Sequence, residues 1–453
     1  MNTPCKNRAL LFILFSFFII HFKVSGQIVE EYLDLQIHTS MHIPYPIFGK
    51  ALTYFDKDKE PHLTYKHTLK NVSYANYLEH NKGSRIIING ALGHEYVKSA
   101  KKARKLIMKQ IAYVNKFAEE HSDNFVVAKN PTEVREYLKN TDKTIIIHSI
   151  ENGRKLVNSA EDAQFWANQG VSFITLIHLA DINYGGSAIW IELAAKIVNL
   201  KGVFKKASKR GLTEDGKQAI LWLANEGIMT DVTHMSDLTR KEAITFMAEN
   251  NIPPLSTHAG FRPIQNHDLG LDSSDIITIY KSNGLVGLAS SGKFLKAYHP
   301  DEKYKKQLDS LGNCFCNGSI DSYKFTYNAM KNLIENNIPL IFNDSSKTLA
   351  TLTKEEKVRI SIGYQSDFNG WIDHDRPRYG KKGCYHTAIP DSAFIKSETL
   401  GLAHPGMMEE HWKLLEKEGV DLEPIRLSSE KFLQMWEFML DRKKSFDNAS
   451  SQK

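Results

Sequence analysis

The chain has 453 residues, of which 42% are apolar and 24% are charged, and its net charge is +6. This is ordinary globular composition over a length that can bury a large core, which excludes a disordered chain, a collagen-like chain and a small disulfide scaffold. The basic residues are scattered rather than grouped in blocks, so a nucleic-acid-binding role gains no support.

The chain opens with the pattern of a secretory signal peptide. Lys6 and Arg8 form a positive segment, Ala9–Phe22 is almost unbroken apolar sequence, and Val24–Gly26 offers small residues for cleavage after Gly26. The apolar run is short for a membrane span, which needs about 20 residues; an uncleaved anchor is the alternative. We expect removal of residues 1–26 and export to a periplasm or to the outside of the cell, with no stable membrane span remaining. Residues 27–440 are predicted to form one domain and residues 441–453 a polar tail.

Short apolar runs rich in β-branched residues alternate with helical stretches along the rest of the chain. This alternation predicts βαβ units and a mainly parallel sheet, and the continuous apolar character predicts burial on both faces. The predicted strands are Tyr32–Ile37, Thr144–Ile147, Val171–Ile177, Ile228–Thr233, Pro254–Thr257, Gly284–Ala289 and Ile360–Tyr364. The predicted helices include Glu95–Ala118, Ala160–Gln169, Glu214–Asn225 and Leu238–Glu249.

Most of these strands end at, or just before, a histidine or a carboxylate. The residues are His38, His148, Glu151, His178, His234, His258 and Asp367. In a (β/α)8 barrel the carboxyl ends of all strands meet on one face, where active sites lie. An open doubly wound sheet would carry a glycine-rich phosphate loop after its first strand, and none follows residues 33–37. We therefore predict a (β/α)8 TIM-type barrel.

Histidines and carboxylates from different strands are the ligands of zinc and similar divalent ions. Each residue also has a simpler explanation: a loop histidine, a polar turn at Glu151, or a helix cap at Asp367. The repetition at several strand ends favours the metal site. A metal lowers the pKa of bound water to about 7, and two ions about 3.5–4 Å apart need a bridging carboxylate, for which Glu151 is the candidate. Asp367 could bind metal and accept a proton from the water.

Three cysteines remain once Cys5 leaves with the signal segment: Cys314, Cys316 and Cys384. An odd number allows at most one bridge within the chain. Cys314 and Cys316 lie too close in sequence for a zinc knuckle. We assign no catalytic role to any of them and leave their pairing open.

The order of several motifs resembles the renal (membrane) dipeptidase family of zinc metallopeptidases, within the amidohydrolase superfamily. The resemblance spans about Asp34 to Trp436. Thr175–His178 resembles that family's T-L-T-H, Gly211–Gly216 its G-L-T-x-x-G, and Asp231–His234 its D-L-S-H. Ser256–His258 resembles its S-H-S, Ile362–Gly370 its G-x-G-S-D-F-D-G, and Gly401–His404 its closing region.

The resemblance implies a role for each matching position. The first metal site falls on Gln36 and His38, Glu151 is the bridging ligand, and the second site falls on His234 and His258. Asp367 coordinates metal and handles the proton, and His178 polarises the substrate. These implied roles predict one or two zinc ions, or another divalent metal, and the resemblance also implies a homodimer.

Two departures from the family pattern affect this prediction. Gln36 stands where the family has histidine, and a neutral amide is a weaker zinc ligand than imidazole, so the first site could be weakened, empty or filled by another ion. The family's substrate-binding arginine has no direct match. Arg262 could bind a substrate carboxylate through its guanidinium fork, or it could be a surface residue. Insertions are predicted near residues 44–93 and 371–395. Within the second, the basic loop Trp371–His386 is expected to be mainly solvated, the alternative being a basic rim over the site.

The sequence leaves three functions open. The preferred one is an exported metal-dependent hydrolase that cleaves the amide bond of dipeptides or similar small substrates, with His178 stabilising the oxyanion and Asp367 moving the proton. A second is another amidohydrolase activity, on lactones, esters or N-acyl amino acids. A third is a binding protein on a catalytically impaired barrel, which Gln36 favours.

Overall fold

The computed structural model describes residues 27–40, 65–66, 81–189, 193–292, 294–370 and 372–451. In this part of the chain the strands are β1 Leu33–Ile37, β2 Ile86–Leu92, β3 Phe125–Ala128, β4 Thr144–Glu151, β5 Val171–Thr175, β6 Met229–Asp231, β7 Leu255–Phe261, β8 Gly270–Leu271, β9 Leu285–Ala289 and β10 Ile362–Gln365. Eight of them form a closed parallel barrel in the order β2, β1, β10, β9, β7, β6, β5, β4, and the pairing of β4 with β2 closes the ring. Strand β3 pairs with β4, and β8 pairs with β7.

The barrel strands are buried on both faces, as their sequences predict. Every residue of β1, β2, β5 and β7 is buried, and β-branched side chains fit such a pleated interior. Glycine leaves room for the inner packing at two positions. A Cβ on Gly287 or Gly363 would lie 2.6 or 2.5 Å from Cδ1 of Leu35, so Leu35 occupies the space that those side chains would need.

The helices follow the strands and cover the barrel. They are α1 Ala100–Glu120, α2 Pro131–Asn140, α3 Ala160–Asn168, α4 Leu193–Val198, α5 Leu200–Phe204, α6 Glu214–Asn225, α7 Asp237–Glu249, α8 Ser273–Lys281, α9 Glu302–Leu311, α10 Ile320–Asn336, α11 Ile338–Phe342, α12 Lys354–Arg359, α13 Ile395–Leu400, α14 Met408–Lys417 and α15 Glu423–Ser451. Side chains at N-cap positions fix several starts: Ser99 accepts from the backbone N–H of Lys102, and Asn130 caps a helix whose first residue is Pro131.

The barrel prediction is confirmed, and each of the seven predicted strands corresponds to a strand of the structure. Strands β2, β3 and β8 were not predicted. Residues 86–92, at the end of the stretch expected to be an insertion, form β2; residues 44–64 and 67–80 of that stretch lie outside the described residues, as does the predicted signal segment 1–26. Helix α15 continues through the predicted tail to Ser451. None of the described helices is long and apolar enough to cross a bilayer.

The segment after β10 is bound to the domain at several points, contrary to the expectation of a mainly solvated loop. Cys384 forms a disulfide with Cys316, while Cys314 is free and exposed. Arg378 is 8% exposed, and its guanidinium forms ion pairs with Asp321, Glu398 and Glu418. The expectation was wrong for this arginine because three carboxylates neutralise its buried charge.

Candidate metal centre

The carboxyl ends of the barrel strands bring six predicted site residues to one buried place. Glu151 is the last residue of β4, and His258 lies within β7. The other four follow the ends of β1, β5, β6 and β10 and are His38, His178, His234 and Asp367. Five of the six side chains are buried, and that of His178 is 12% exposed.

Glu151 is the centre of this cluster. Its Oε2 lies 3.1 Å from Nε2 of His38, and its Oε1 lies 3.1 Å from Nε2 of His234 and 3.8 Å from Nε2 of His258. Asp367 completes the first half, with Oδ1 3.2 Å from Nε2 of His38. The two oxygens of one carboxylate thus face two separate sets of ligands.

The ring orientation of His38 is set by the neighbouring strand. Its Nδ1 lies 2.8 Å from the carbonyl oxygen of Gly90, which can only accept, so Nδ1 carries a proton and Nε2 is the nitrogen that faces the cluster. A Cβ on Gly90 would lie 3.0 Å from Cε1 of His38. Glycine at this position therefore leaves space for the imidazole.

A hydroxyl relay orients His258 in the same way. Thr257 Oγ1 donates to Oδ2 of Asp231 at 2.8 Å and lies 2.9 Å from Nδ1 of His258. Because the hydroxyl proton is given to Asp231, the oxygen accepts from Nδ1–H, so Nε2 of His258, which lies 2.8 Å from Nε2 of His234, is the nitrogen that can act as a ligand. Asp231 also accepts from Thr175 and Thr233, which connects the ends of three strands.

Two of these residues adopt left-handed backbone conformations. The φ angles of His234 and Asp367 are 66° and 54°, a region that residues other than glycine enter rarely and at a cost of about 1–3 kcal/mol. A Cβ on Gly370 would lie 2.2 Å from Cγ of Asp367. The turn after β10 therefore holds Asp367 in a conformation that only a surrounding structure of this kind maintains.

Gln36 points into the same cluster. Its amide nitrogen lies 3.2 Å from Nε2 of His38, its side chain is fully buried, and its Oε1 has no hydrogen-bond partner among the described residues. The oxygen and nitrogen of an amide are assigned by their surroundings. A cation beside His38 would give the orphaned oxygen a partner, since an amide oxygen is a neutral ligand of divalent ions.

His178 is held at the edge of the cluster by a residue that the sequence pattern does not single out. Its Nδ1 forms a hydrogen bond with Oε1 of Glu95, and its Nε2 lies 3.8 Å from Oε1 of Glu151. Its ring packs edge-on against that of His234, with centroids 4.5 Å apart. Glu95 was expected to begin a helix, but it lies five residues before α1 and is 6% exposed.

The electrostatics of the cluster fit a divalent cation. Burial raises the pKa of Glu151, but His178 and His38 outweigh that effect and hold it well below its ordinary value. Burial lowers the pKa of His38, while Glu151 and Asp367 raise it to about 10. The carboxylates that retain a proton on His38 would equally attract a metal. The donors, three imidazoles and two carboxylates, are those of zinc and related ions.

Arg262 is occupied elsewhere. Its Nη1 donates to Oδ1 of Asp237 at 2.8 Å, and its Nε lies 3.6 Å from Oδ1 of Asp272. Asp237, Asp272 and Asp275 lie close enough to hold an ion. However, Arg240 and Lys241 also pair with these carboxylates. Cationic side chains thus satisfy this second acidic set, and the substrate-binding role of Arg262 remains a prediction.

Comparison with known proteins identifies the family. The family model of membrane dipeptidases, peptidase family M19, matches residues 74–323, which is more than half of the chain. The chain belongs to the membrane dipeptidase family. The prediction of a dipeptidase-like metallopeptidase is thereby confirmed at the level of the family.

One curated relative of this dipeptidase family member matches part of its length. The dipeptidase verJ of Clonostachys rogersoniana is 26% identical over 179 residues, which cover 40% of this chain and 41% of that protein. The chain thus matches less than half the length of this relative, so the activity and substrates of the whole protein are matters for proposal.

Solved structures share the fold of this chain. A dipeptidase of family M19 has a TM-score of 0.56 at 13% identity, covering 90% of this chain and 98% of its own. The probable dipeptidase PvdM of Pseudomonas aeruginosa has a TM-score of 0.54 at 14% identity, covering 92% and 96%. A metallopeptidase of Rhodobacter sphaeroides, liganded with a phosphinate mimic of L-Ala-D-Ala, has a TM-score of 0.54 at 12% identity, covering 92% and 99%. At these identities the likeness establishes the barrel fold.

Proposed function

We propose that this membrane dipeptidase family member is an exported metallohydrolase that cleaves the amide bond of dipeptides. The observation that carries the proposal is the placement of Glu151, whose two carboxylate oxygens face His38 with Asp367 on one side and His234 with His258 on the other. Export is supported by the signal pattern of residues 1–26.

The proposed metal is zinc, held by two unequal half-sites that share Glu151. One half offers two imidazoles, from His234 and His258, and the other offers His38, Asp367 and the amide of Gln36. A divalent ion bound there would activate water and polarise the scissile carbonyl. In this proposal the residues supply the remaining chemistry.

Asp367 is the proposed proton carrier. Among the described residues, its Oδ1 has no hydrogen-bond donor other than a protonated His38. A carboxylate at this position can take a proton from the attacking water and deliver it to the leaving amine. Its turn conformation and the close approach of Gly370 fix the direction in which the carboxylate points.

His178 is the proposed donor to the substrate carbonyl. Burial lowers its pKa, but the carboxylates of Glu151 and Glu95 raise it by more than burial lowers it, so the net shift of the pKa is upward. With Nδ1 bound to Glu95, the proton on Nε2 is aimed at the cluster. A donor fixed in this way stabilises negative charge that develops on the carbonyl oxygen.

One observation favours the lactones and esters of the second candidate, which also includes N-acyl amino acids. Arg262 is paired with Asp237 and Asp272, so a free guanidinium for a dipeptide carboxylate is not provided at that position. A lactone or ester without a free carboxylate would not need one, whereas an N-acyl amino acid would, as a dipeptide does. The binding-protein alternative rests on Gln36 alone.

A substrate panel with the zinc-supplemented chain 27–453 tests these proposals. Dipeptides, including those with a C-terminal D-residue, are compared with lactones, esters and N-acyl amino acids. We expect the highest kcat/KM for a dipeptide and its loss in Asp367→Asn, with Asp309→Asn, at an exposed carboxylate of α9, as the control. Faster lactone or ester turnover would favour the second candidate, and binding without turnover would favour the third.

A further inference from the structure

An exposed apolar patch lies on the rim of the barrel beside the candidate site. Its side chains belong to helices α4 and α5 and to the loop after β2. Five of the eleven large apolar side chains that the described residues expose are found here. They are Tyr96, Ile197, Leu200, Val203 and Phe204, exposed to 59%, 56%, 53%, 36% and 84%.

The same segment is strongly basic. Residues 193–213 contain no aspartate or glutamate, whereas five lysines lie between residues 196 and 209. These are Lys196, Lys201, Lys205, Lys206 and Lys209, of which the last four are exposed. Four of the five exposed apolar side chains thus belong to the same short segment as these charges. We call residues 196–209 together with Tyr96 the rim patch.

The rim patch is attached to the site in a fixed orientation. Asn199 is buried between the two helices and exchanges hydrogen bonds with Asp181, at 3.0 Å from its backbone N–H and 2.9 Å from its carboxylate. Arg210 donates to the same carboxylate at 3.0 and 2.8 Å, and the hydroxyl of Tyr96 donates to the carbonyl of Val198 at 2.9 Å. Because these contacts anchor Asn199 inward, the apolar side chains on either side of it face outward.

The chemistry of the rim patch selects one partner. A second copy meeting it through a two-fold axis would set its lysines against the same lysines, and a nucleic acid would leave Leu200 and Phe204 without apolar contacts. An anionic bilayer satisfies both features, since its headgroups attract lysine and its acyl boundary accepts apolar side chains. We propose that the rim patch docks the protein peripherally on anionic phospholipid surfaces. Docking would bring the barrel mouth beside His178 close to the bilayer.

Vesicle flotation of the chain 27–453 tests this proposal without any measurement of hydrolysis. The result for membrane docking is therefore independent of the result for the proposed function. The probes are vesicles of phosphatidylcholine alone and of phosphatidylcholine with phosphatidylglycerol. We expect binding only to the vesicles with phosphatidylglycerol, weakening as salt rises. Loss of each lysine should lower the partition constant about fivefold.

Matched pairs of variants separate the rim patch from general surface effects. Leu200→Ser with Phe204→Ser should abolish binding, whereas Leu340→Ser with Phe446→Ser, which are exposed to 49% and 48% on other helices, should not. The double variant Lys205→Gln with Lys206→Gln should bind anionic vesicles more weakly than the parent chain. The double variant Lys305→Gln with Lys306→Gln, on α9, is its control and should bind as the parent chain does. Thermal melting confirms that each variant is folded.

Three results would overturn the proposal. The first is no binding to anionic vesicles by the parent chain, and the second is equal loss of binding in the patch and control pairs. The third is a change from dimer to monomer in Leu200→Ser with Phe204→Ser, measured by sedimentation, without any loss of vesicle binding. That last result would assign the rim patch to contacts between copies of the chain.

Discussion

Glu95 accepts the hydrogen bond from Nδ1 of His178 across a sequence separation of 83 residues. Both side chains lie at the mouth of the barrel, on the loops that follow β2 and β5. The pair fixes the ring so that its other nitrogen faces Glu151. Removing a residue that orients a site histidine through its other ring nitrogen commonly changes activity or metal affinity by about 10–100-fold.

We expect Glu95→Ala to lower kcat for the best substrate by about 10–100-fold, because His178 loses its orientation and its nearest negative charge. Glu95→Gln keeps a hydrogen-bond acceptor and should lose less. The measurement is the pH profile of kcat, with zinc content determined in parallel. Unchanged kinetics in both variants would mean that His178 does not depend on Glu95.

Thr257 gives a second test of ligand orientation. Thr257→Val preserves the shape of the side chain but breaks the relay from His258 to Asp231, so His258 should lose its fixed tautomer and the site should bind metal about 10–100-fold more weakly. Thr257→Ser retains the hydroxyl and is the control. Metal affinity is measured by competition with a chelator, and equal affinities in the Val and Ser variants would contradict the relay.

The location of a site residue can be predicted from the sequence where that residue directly follows a recognisable strand. Apolar runs followed by a histidine or a carboxylate predict that Glu151, His234 and Asp367 lie together, and the fold brings them together; their roles as ligands stay predictions. Strand β2 was missed because Asn89, Gly90 and Ala91 interrupt the run of isoleucines. Glu95 was missed for a related reason: its position shortly after β2 marks it as a site residue only once β2 is recognised as a barrel strand.

Arg262 shows the limit of arguments from residue type. A guanidinium after β7 fits a substrate carboxylate on chemical grounds, but sequence alone does not show which charges lie near it in space. In the structure, Asp237 from α7 and Asp272 before α8 reach it. Distances between side chains from different helices depend on packing, and no periodicity in the sequence encodes them.

The Cys316–Cys384 disulfide joins the loop before α10 to the segment after β10. It spans a sequence separation of 68 residues, and closing a loop of that length stabilises a fold by roughly 4 kcal/mol in the chain-entropy model. We expect Cys316→Ser with Cys384→Ser to lower the free energy of unfolding by several kcal/mol and Cys314→Ser, at an exposed free thiol, to leave it unchanged. Denaturant titration measures both, and equal stabilities would contradict a bridge in the folded protein.

The amide side chain of Gln36 should make the metal affinities of the two halves of the site unequal. The half with His234 and His258 should retain its ion during dialysis, while the half with Gln36 should lose its ion first, because a neutral amide binds zinc more weakly than imidazole. Gln36→His should raise the zinc-to-chain ratio after dialysis, as measured by elemental analysis. Gln307→His, the same change at an exposed position of α9, is the control. A ratio near two in the parent chain would mean that Gln36 does not weaken the site.

Lys431 predicts a pH dependence of stability that arises far from the metal centre. It is 4% exposed within α15, and burial, with a smaller contribution from Arg359, lowers its pKa from 10.5 to about 7. Between these two values the unfolded chain binds a proton that the folded chain does not. The contribution of Lys431 to the free energy of unfolding therefore rises as the pH increases from about 7 to 10.5, and it is least favourable below pH 7.

Lys431→Met should stabilise the protein by a few kcal/mol at pH 7, since each pKa unit corresponds to about 1.4 kcal/mol, and the gain should shrink as the pH approaches 10. Denaturant unfolding at several pH values measures this difference, with Lys413→Met, at an exposed position on α14, as the control. A gain that is constant with pH would show that Lys431 stays protonated in the folded protein.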